Sequence, residues 1–327
     1  MSVRRPLRRR LARGLLPIVA LATVSLHAQD EPLGPAVDPP GVGAPATGPA
    51  AEGGATDGPT ARTGFTGRPR WEIGVGGGYL ESFDYPGSED PNRRTVALPF
   101  AIYRGPVLRL GDGGVRAMAI ERPRLQLAFS FGGSLSSSAE ADGARAGLPD
   151  LDYLFEAGPR LRLVLADRPA ATGGRWQANA SIAVRGVVST DLDDDLDGRG
   201  TLGEIGLSVA HRRVAGSRVD VFGRVEARFA EDRLHEYYYE VPERFATDAR
   251  PAYDAGGGYL GAGLQLGLAF RPTPRVRLFL GVSHDRYDGA ANEGSPLLET
   301  DATTAAALGF AWTVLQSRAR VEVVDVE

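Results

Sequence analysis

The feature that most constrains this chain is an alternation of apolar and polar residues that returns along most of its length. In one segment, Val219 and Val221 alternate with Asp220 and Arg224, and Phe222 is the exception on the polar side. Alternate side chains of a β-strand face opposite sides of a sheet, so each such segment predicts a strand with one apolar face. The same pattern occurs at 124–134, 175–189, 260–270 and 275–283.

Connections of alternating length predict an up-and-down arrangement of about twelve strands, with ten or fourteen as alternatives. Residues 107–120 are the weak point, because they could form one strand instead of two. Short connections fall at one end and long ones at the other, which is typical of outer-membrane barrels. The predicted strands are 71–80, 94–103, 107–111, 114–120, 123–134, 153–166, 175–189, 201–213, 218–230, 253–271, 274–286 and 302–314.

Alternation alone fits both a soluble β-sandwich and a membrane barrel. Several predicted strands are longer than the usual soluble strand of about 5 to 6 residues. The polar faces are rich in charge, and after the N-terminal region no apolar run approaches the roughly 18 residues of a membrane helix. We therefore predict an all-β, transmembrane antiparallel β-barrel in the bacterial outer membrane, in contact with outer-membrane lipid.

The N-terminal region predicts export. Residues 1–28 combine an arginine-rich start, a short apolar run and a plausible cleavage site after Ala28, which is the layout of a signal peptide. Residues 29–69 are rich in Pro, Gly, Ala and Thr and predict a disordered linker. We assign 70–315 to the barrel and 316–327 to a polar tail.

Composition excludes several classes of site. The chain has no cysteine, so disulfides and cysteine-based metal sites or nucleophiles are impossible. The formal net charge is -4, and no basic block beyond the signal peptide suggests a nucleic-acid partner.

The polar faces predict a charged lumen. These charges could form a pore that selects solutes by sign, or a lumen closed by ion pairs, and the sequence does not separate the two. Asp220, Glu204 and Glu156 could pair with the inward-facing arginines. The predicted lumen charges are Arg124, Arg160, Arg162, Arg185, Arg224, Glu226, Arg228, Arg275 and Arg277.

An acidic loop has the spacing of a calcium site. Asp193, Asp195, Asp197 and the distal Glu204 match the ligand positions of such a loop, with Gly198 at the tight turn. The flanking segments predict strands rather than helices, and Gly200 stands where a hydrophobic residue is usual. A solvated acidic loop is the alternative, and no other cofactor is predicted.

Histidines and aromatic residues give two further candidates. A hydrolase at the outer rim would need a base such as His235 or His284, but the chain lacks a Gly-x-Ser-x-Gly nucleophile motif. We therefore predict that the protein is not an enzyme. Tyr238, Tyr239 and Trp312 are predicted to lie in an aromatic girdle or at the rim.

Several short motifs, in order, resemble the MltA-interacting protein family, also called MipA/OmpV. The resemblance covers about 71–314. It implies an outer-membrane barrel without accepted catalytic residues, and for one branch a scaffold joining a murein hydrolase to a peptidoglycan synthase. The motifs are Gly74-Val-Gly-Gly-Gly-Tyr79, Tyr85-Pro-Gly-Ser-Glu-Asp90, Leu98-Pro-Phe-Ala-Ile-Tyr103, Leu148-Pro-Asp150, Glu156-Ala-Gly-Pro159, Pro251-Ala-Tyr-Asp254 and Tyr287-Asp-Gly-Ala290.

From this resemblance we expect a non-catalytic scaffold or interaction protein of the cell envelope, linked to peptidoglycan remodelling. Its expected periplasmic partners are a murein hydrolase and a peptidoglycan synthase. A porin-like channel for small solutes is the alternative, and a hydrolase at the outer rim is the third hypothesis.

Overall fold

A computed structural model describes residues 68–111, 114–134, 136–137, 143–192 and 196–321. Twelve antiparallel strands form a closed barrel in which neighbours follow chain order and the last strand pairs with the first. The barrel strands are β2 (Trp71–Phe83), β3 (Pro91–Arg104), β4 (Leu108–Gly111), β5 (Gly114–Arg122), β6 (Leu125–Ser134), β7 (Tyr153–Pro169), β8 (Arg175–Thr190), β9 (Asp197–Arg212), β10 (Val219–Ala230), β11 (Gly258–Thr273), β12 (Val276–Arg286) and β13 (Ala302–Gln316).

Connection lengths define the two ends of the barrel. The turns after β3, β5, β7, β9 and β11 are short, whereas most of the connections at the opposite end are long. Following the asymmetry of outer-membrane barrels, the end with short turns is the periplasmic end and the other is the outer end. At the periplasmic end, two-residue strands β1 (Arg68–Pro69) and β14 (Arg320–Val321) pair antiparallel.

The outer face of the barrel is apolar. Leu266 is 54% exposed, Leu280 is 52% exposed, and Val225 and Leu308 are similarly open. A soluble protein would bury such residues, but a membrane barrel turns them toward lipid because lipid removes the cost of exposing them to water. The alternation seen in the sequence therefore follows from lipid outside and a polar lumen inside.

The predicted strand pattern is confirmed. Residues 107–120 divide into β4 and β5, which settles the count at twelve. Strand ends differ from prediction by a few residues; β9, for example, begins four residues before the predicted 201. The predicted signal peptide and almost all of the predicted linker lie outside the described residues. Only Arg68–Pro69 of that linker is described, as β1, and the predicted tail contributes Gln316 to β13 and Arg320–Val321 to β14.

The connection between β10 and β11 contains a helix that the sequence analysis placed in a loop. This helix, α1, runs from Asp232 to Tyr239, and a 3-10 turn at Glu243–Phe245 follows it. A second 3-10 turn lies at Val214–Gly216, at the periplasmic end. Among the described residues, no helix has the length and apolar character needed to cross a membrane.

Candidate functional site: a capped, charged lumen

Glu204 is the centre of a buried ion cluster inside the barrel. It lies on the lumen face of β9, where the alternation of neighbouring strands brings three arginines to it. Arg160 of β7 donates to Oε1 at 2.8 Å, Arg185 of β8 approaches Oε2 at 3.4 Å, and Arg224 of β10 also donates to Oε1. Glu204 and Arg224 are each 4% exposed. Burial of such charges is tolerated because they are paired.

Further carboxylates balance these arginines along the wall from β7 to β12. Arg185 also binds Glu156 at 3.1 Å, and Arg224 binds Glu226 at 2.7 Å. Arg228 binds Asp285 of β12 at 2.6 Å. The resulting ion network contains four arginines and four carboxylates and is therefore close to neutral. It consists of Arg160, Arg185, Arg224, Arg228, Glu156, Glu204, Glu226 and Asp285.

Polar side chains toward the periplasmic end fill the lumen beside this network. Gln177 is 1% exposed, Arg162 3% and Asn179 4%, although all three lie on the lumen face. Arg162 donates to Gln126 at 3.4 Å across the β6–β7 pair. A wide, water-filled channel would leave such side chains accessible, so this part of the lumen is packed.

Phe222 is the one apolar exception on the polar face of β10, and the residue opposite it explains how it fits. Its side chain faces the lumen and is 8% exposed. The ring lies directly over Gly267 of β11, where a Cβ atom would overlap it. An aromatic ring is therefore accommodated among polar residues because the facing position has no side chain.

A cavity of about 350 Å³ remains between the ion network and the outer end. Charged side chains of the ion network lie on one side, and small or aliphatic side chains lie on the other together with polar residues such as Asn92 and Arg94. Its charged lining includes Glu156, Arg185, Glu204, Glu226, Arg228 and Asp285, and its other lining includes Leu80, Ala305 and Ala307.

Folded connections close the outer end above this cavity. We call them the outer cap: α1 together with residues 84–90, 143–152, 240–257 and 287–301. Tyr239 and Leu297 are 0% exposed at its centre. The Tyr239 hydroxyl donates to the Pro86 carbonyl at 2.8 Å, and Ser295 Oγ donates to the Tyr239 carbonyl at 2.7 Å. Hydrogen bonds and apolar packing thus join separate connections into one unit.

His235 is a buried titratable group of the outer cap. Its Nδ1 accepts a hydrogen bond from Asn292 Nδ2 at 2.7 Å, so Nε2 carries the proton and faces the Gly258 carbonyl at 3.3 Å. Burial lowers the pKa of His235 below its ordinary value of 6.5, while the Gly258 carbonyl and Asp232 oppose the shift. The cap therefore holds His235 in its neutral form.

Seven of the nine predicted lumen charges lie on the lumen face, and two do not. Arg124 and Arg275 are exposed in the turns before β6 and β12, because these strands begin one residue later at Leu125 and Val276. Their placement in the lumen was wrong, since alternation does not extend into a turn. The seven inside are Arg160, Arg162, Arg185, Arg224, Glu226, Arg228 and Arg277.

The structure does not bring together the two described members of the predicted calcium loop, Asp197 and Glu204. Asp193 and Asp195 lie outside the described residues. Asp197 pairs with Arg199 at 3.3 Å, whereas Glu204 lies in the ion network. They belong to one extended strand, and seven residues at about 3.3 Å each separate them by roughly 20 Å, too far to bind one ion. Within the described ranges, no cluster of three or more His, Cys, Asp or Glu is arranged to hold a metal.

Of the three predicted aromatic residues, one lies on the outer face of the barrel and two do not. Trp312 is 51% exposed on the outer face of β13, as a girdle residue would be. Tyr238 and Tyr239 are instead buried in the outer cap at the outer end of the barrel, so they are not residues of an exposed girdle. The sequence carried a signal for this: Leu234 and Tyr238, like His235 and Tyr239, are four residues apart and share a face of α1.

The histidines make structural contacts. His211 stacks on Trp176 with ring centroids 4.3 Å apart and contacts the Gly173 carbonyl. His284 lies on the outer face of β12, with Nδ1 2.9 Å from Thr304 Oγ1. His235 is buried in the outer cap, so a rim base would have to be freed from its contacts before it could act.

The model of the family described as MltA-interacting protein MipA matches residues 73–314, which is most of the chain and nearly the whole barrel. The chain belongs to this family. No curated protein matches it.

This MipA-family barrel is similar, at low identity, to several solved outer-membrane proteins. The NanC porin is 11% identical, with 74% of this chain and 100% of that chain covered and a TM-score of 0.34. A Pseudomonas aeruginosa FadL homologue is 7% identical, with 75% and 68% covered and a TM-score of 0.33. Outer membrane phospholipase A from Escherichia coli is 11% identical, with 77% and 93% covered and a TM-score of 0.26.

Proposed function

We propose that this MipA-family barrel is a non-catalytic scaffold that holds a murein hydrolase of the MltA type at its periplasmic end. A peptidoglycan synthase is the second partner proposed. The family description names an MltA-interacting protein, which supports a partner of this kind. A murein hydrolase in the periplasm would meet the turns at the periplasmic end.

The observation that carries this proposal is a strongly basic periplasmic end. Glu121 is the single exposed carboxylate in the described part of this end, against nine exposed arginines. A cluster of like charges steers an oppositely charged partner and contributes to its affinity. The exposed arginines are Arg70, Arg122, Arg124, Arg168, Arg213, Arg218, Arg275, Arg318 and Arg320.

The outer end has the opposite balance, with exposed acids such as Glu231, Asp232 and Asp254 on its connections. The basic surface is thus confined to the end that faces the periplasm. We therefore propose that an acidic face of the hydrolase docks against the periplasmic turns.

The packed lumen argues against the porin alternative. The lumen-facing Gln177 and Arg224 are almost inaccessible, and the outer cap covers the opposite mouth. We therefore expect refolded protein in a planar bilayer to give no steady conductance steps. Regular steps whose ion selectivity changes on reversing Arg228 would instead favour a channel.

Binding of a purified MltA-type hydrolase to the refolded barrel tests the scaffold directly. We expect binding that weakens with salt and falls at least several-fold when Arg122, Arg124 and Arg275 are changed to Gln. The matched control changes three exposed arginines of the outer end, Arg93, Arg233 and Arg286, to Gln. Binding that is absent, or equally affected in both variants, would refute docking at the periplasmic turns.

A further inference from the structure

At one place in the barrel wall, a long strand is next to a much shorter one. β3 has fourteen residues, about 46 Å at 3.3 Å per residue, but its neighbour β4 has only four, about 13 Å. The two strands pair only at Tyr103–Leu110 and Arg104–Arg109. Within the described residues, the remainder of β3, residues 91–102, pairs with β2 alone. Among the described residues, no strand lies beside this part of β3 above the β4–β5 hairpin, and we call this stretch, between β3 and β6, the side notch.

The sequence of β3 is adapted to an open edge. Arg104 N–H donates to the Arg70 carbonyl on the β2 side, and Gly105 N–H donates to the Leu108 carbonyl on the β4 side. Because N–H groups alternate along a strand, the nitrogen of Pro99 faces the edge that β4 leaves open. Proline has no N–H to donate, so it fits an edge strand and would disrupt a central one.

Both faces of β3 are apolar around the side notch. Its outward face carries Ala97, Pro99 and Ala101, as expected for lipid contact, and its lumen face is apolar as well. On the closed wall, the lumen face of β8 carries Gln177, Asn179 and Ser181 instead. The apolar lumen-facing residues of β3 are Val96, Leu98, Phe100 and Ile102.

The upper end of the side notch adjoins the cavity beneath the outer cap, which Asn92 and Arg94 of β3 line. At its upper end, Arg94 Nη2 donates to the Ser136 carbonyl at 2.7 Å, which bridges from β3 toward the connection after β6. Arg94 and Leu80 both line the cavity. Because no described strand pairs with residues 91–102 on this side, the lipid-facing residues of β3 and its apolar lumen-facing residues meet along the same open edge.

We propose that the barrel is open sideways to the bilayer at the side notch, and that an acyl chain of a membrane lipid lies against Val96, Leu98 and Phe100 inside it. The occupant is inferred from this continuity with the lipid-facing surface. Irregular backbone is tolerated at membrane depth only where it borders water or protein, so the proposal requires that lumen water reaches the unpaired backbone groups of β3 while the acyl chain contacts its side chains. The proposal is independent of the scaffold function.

A cysteine-free chain allows a direct test. Single-cysteine variants are labelled with bimane, refolded and placed in nanodiscs of lipid carrying bromine on its acyl chains, which quenches the dye on contact. Leu98→Cys reports the lumen face of β3. Leu266→Cys is the lipid-facing reference, and Ser208→Cys, on the lumen face of β9, is the lumen reference. Heat-modifiable migration in a gel shows that each variant is folded.

We expect bromine to quench the label at position 98 at least half as strongly as the label at 266, and several-fold more strongly than the label at 208. Quenching at 98 below half of that at 266 would overturn the proposal. If Leu98→Cys does not fold, Val96→Cys is read by the same criterion, because residues 96 and 98 share the lumen face.

Discussion

Asn292 and His235 form a hydrogen bond of 2.7 Å between two connections of the outer cap, and both side chains are almost inaccessible, at 1% and 0% exposed. Asn292 Nδ2 can only donate, so the contact requires an unprotonated Nδ1 on His235. Protonation would place two donors face to face in a buried site.

The outer cap should loosen in acid because of this pair. The folded-state pKa of His235 is lowered, so below about 6.5 the unfolded cap binds a proton that the folded cap does not. Stability from the neutral imidazole is complete above that pH and is lost as the pH falls below it. The protection factors of residues 231–258, which are corrected for the intrinsic pH dependence of amide exchange, should therefore fall between pH 7 and pH 5. In His235→Leu this acid-dependent fall in protection should shrink, and an unchanged fall would assign it to another group.

Removal of the Glu204 charge should destabilise the whole barrel. Glu204→Gln leaves Arg160, Arg185 and Arg224 with less compensation in a buried site, at a cost of about 3–5 kcal/mol. Urea unfolding in lipid vesicles measures it. The control, Glu236→Gln on the exposed face of α1, should change the free energy of unfolding by less than about 0.5 kcal/mol. Equal effects would show that the ion network contributes little.

A methyl group at Gly267 should also be costly. Gly267→Ala forces the Phe222 ring away from β11, and overpacking of this kind costs about 1–3 kcal/mol. Gly256→Ala is the matched control, because a Cβ atom there meets nothing within 4 Å. The same urea experiment compares the two, and a neutral Gly267→Ala would mean that the ring moves freely.

The centre of the outer cap should be sensitive to loss of Tyr239. Tyr239→Phe removes the hydrogen bond to the Pro86 carbonyl and should cost about 1 kcal/mol. Tyr239→Ala removes a fully buried ring and should cost about 3–5 kcal/mol. Limited proteolysis of the cap would show the ranking Ala, then Phe, then native. Cleavage that is identical in all three would indicate that the cap does not depend on this residue.

The wall of the barrel could be predicted from the sequence because lipid on one face imposes a strict alternation, as in Val219 to Val225. The division of Leu108–Arg122 into two strands was the weakest element, since so short a strand carries few alternating positions. The outer cap was missed because α1 has only eight residues. Its burial depends on Leu297 and Asn292, which are distant in sequence.

The lumen was predictable in composition but not in geometry. Alternation placed Arg185, Arg224 and Glu226 inside, but it could not show that Glu204 would bind three arginines rather than belong to a calcium loop. That outcome depends on the register of β9 against β8 and β10. Arg124 and Arg275 were misplaced because strand ends are the least determined part of such a pattern.

The pairing of β1 with β14 has a mechanical consequence. Arg68 and Val321 are partners at the base of the barrel, beside the seam where β13 meets β2. A pulling force applied to the chain before Arg68 would load these hydrogen bonds one after another, as in peeling, rather than all at once, as in shear. The short β1–β14 pair would therefore separate first and at low force. Its separation would release the applied force before the pairing of β13 with β2 is disrupted.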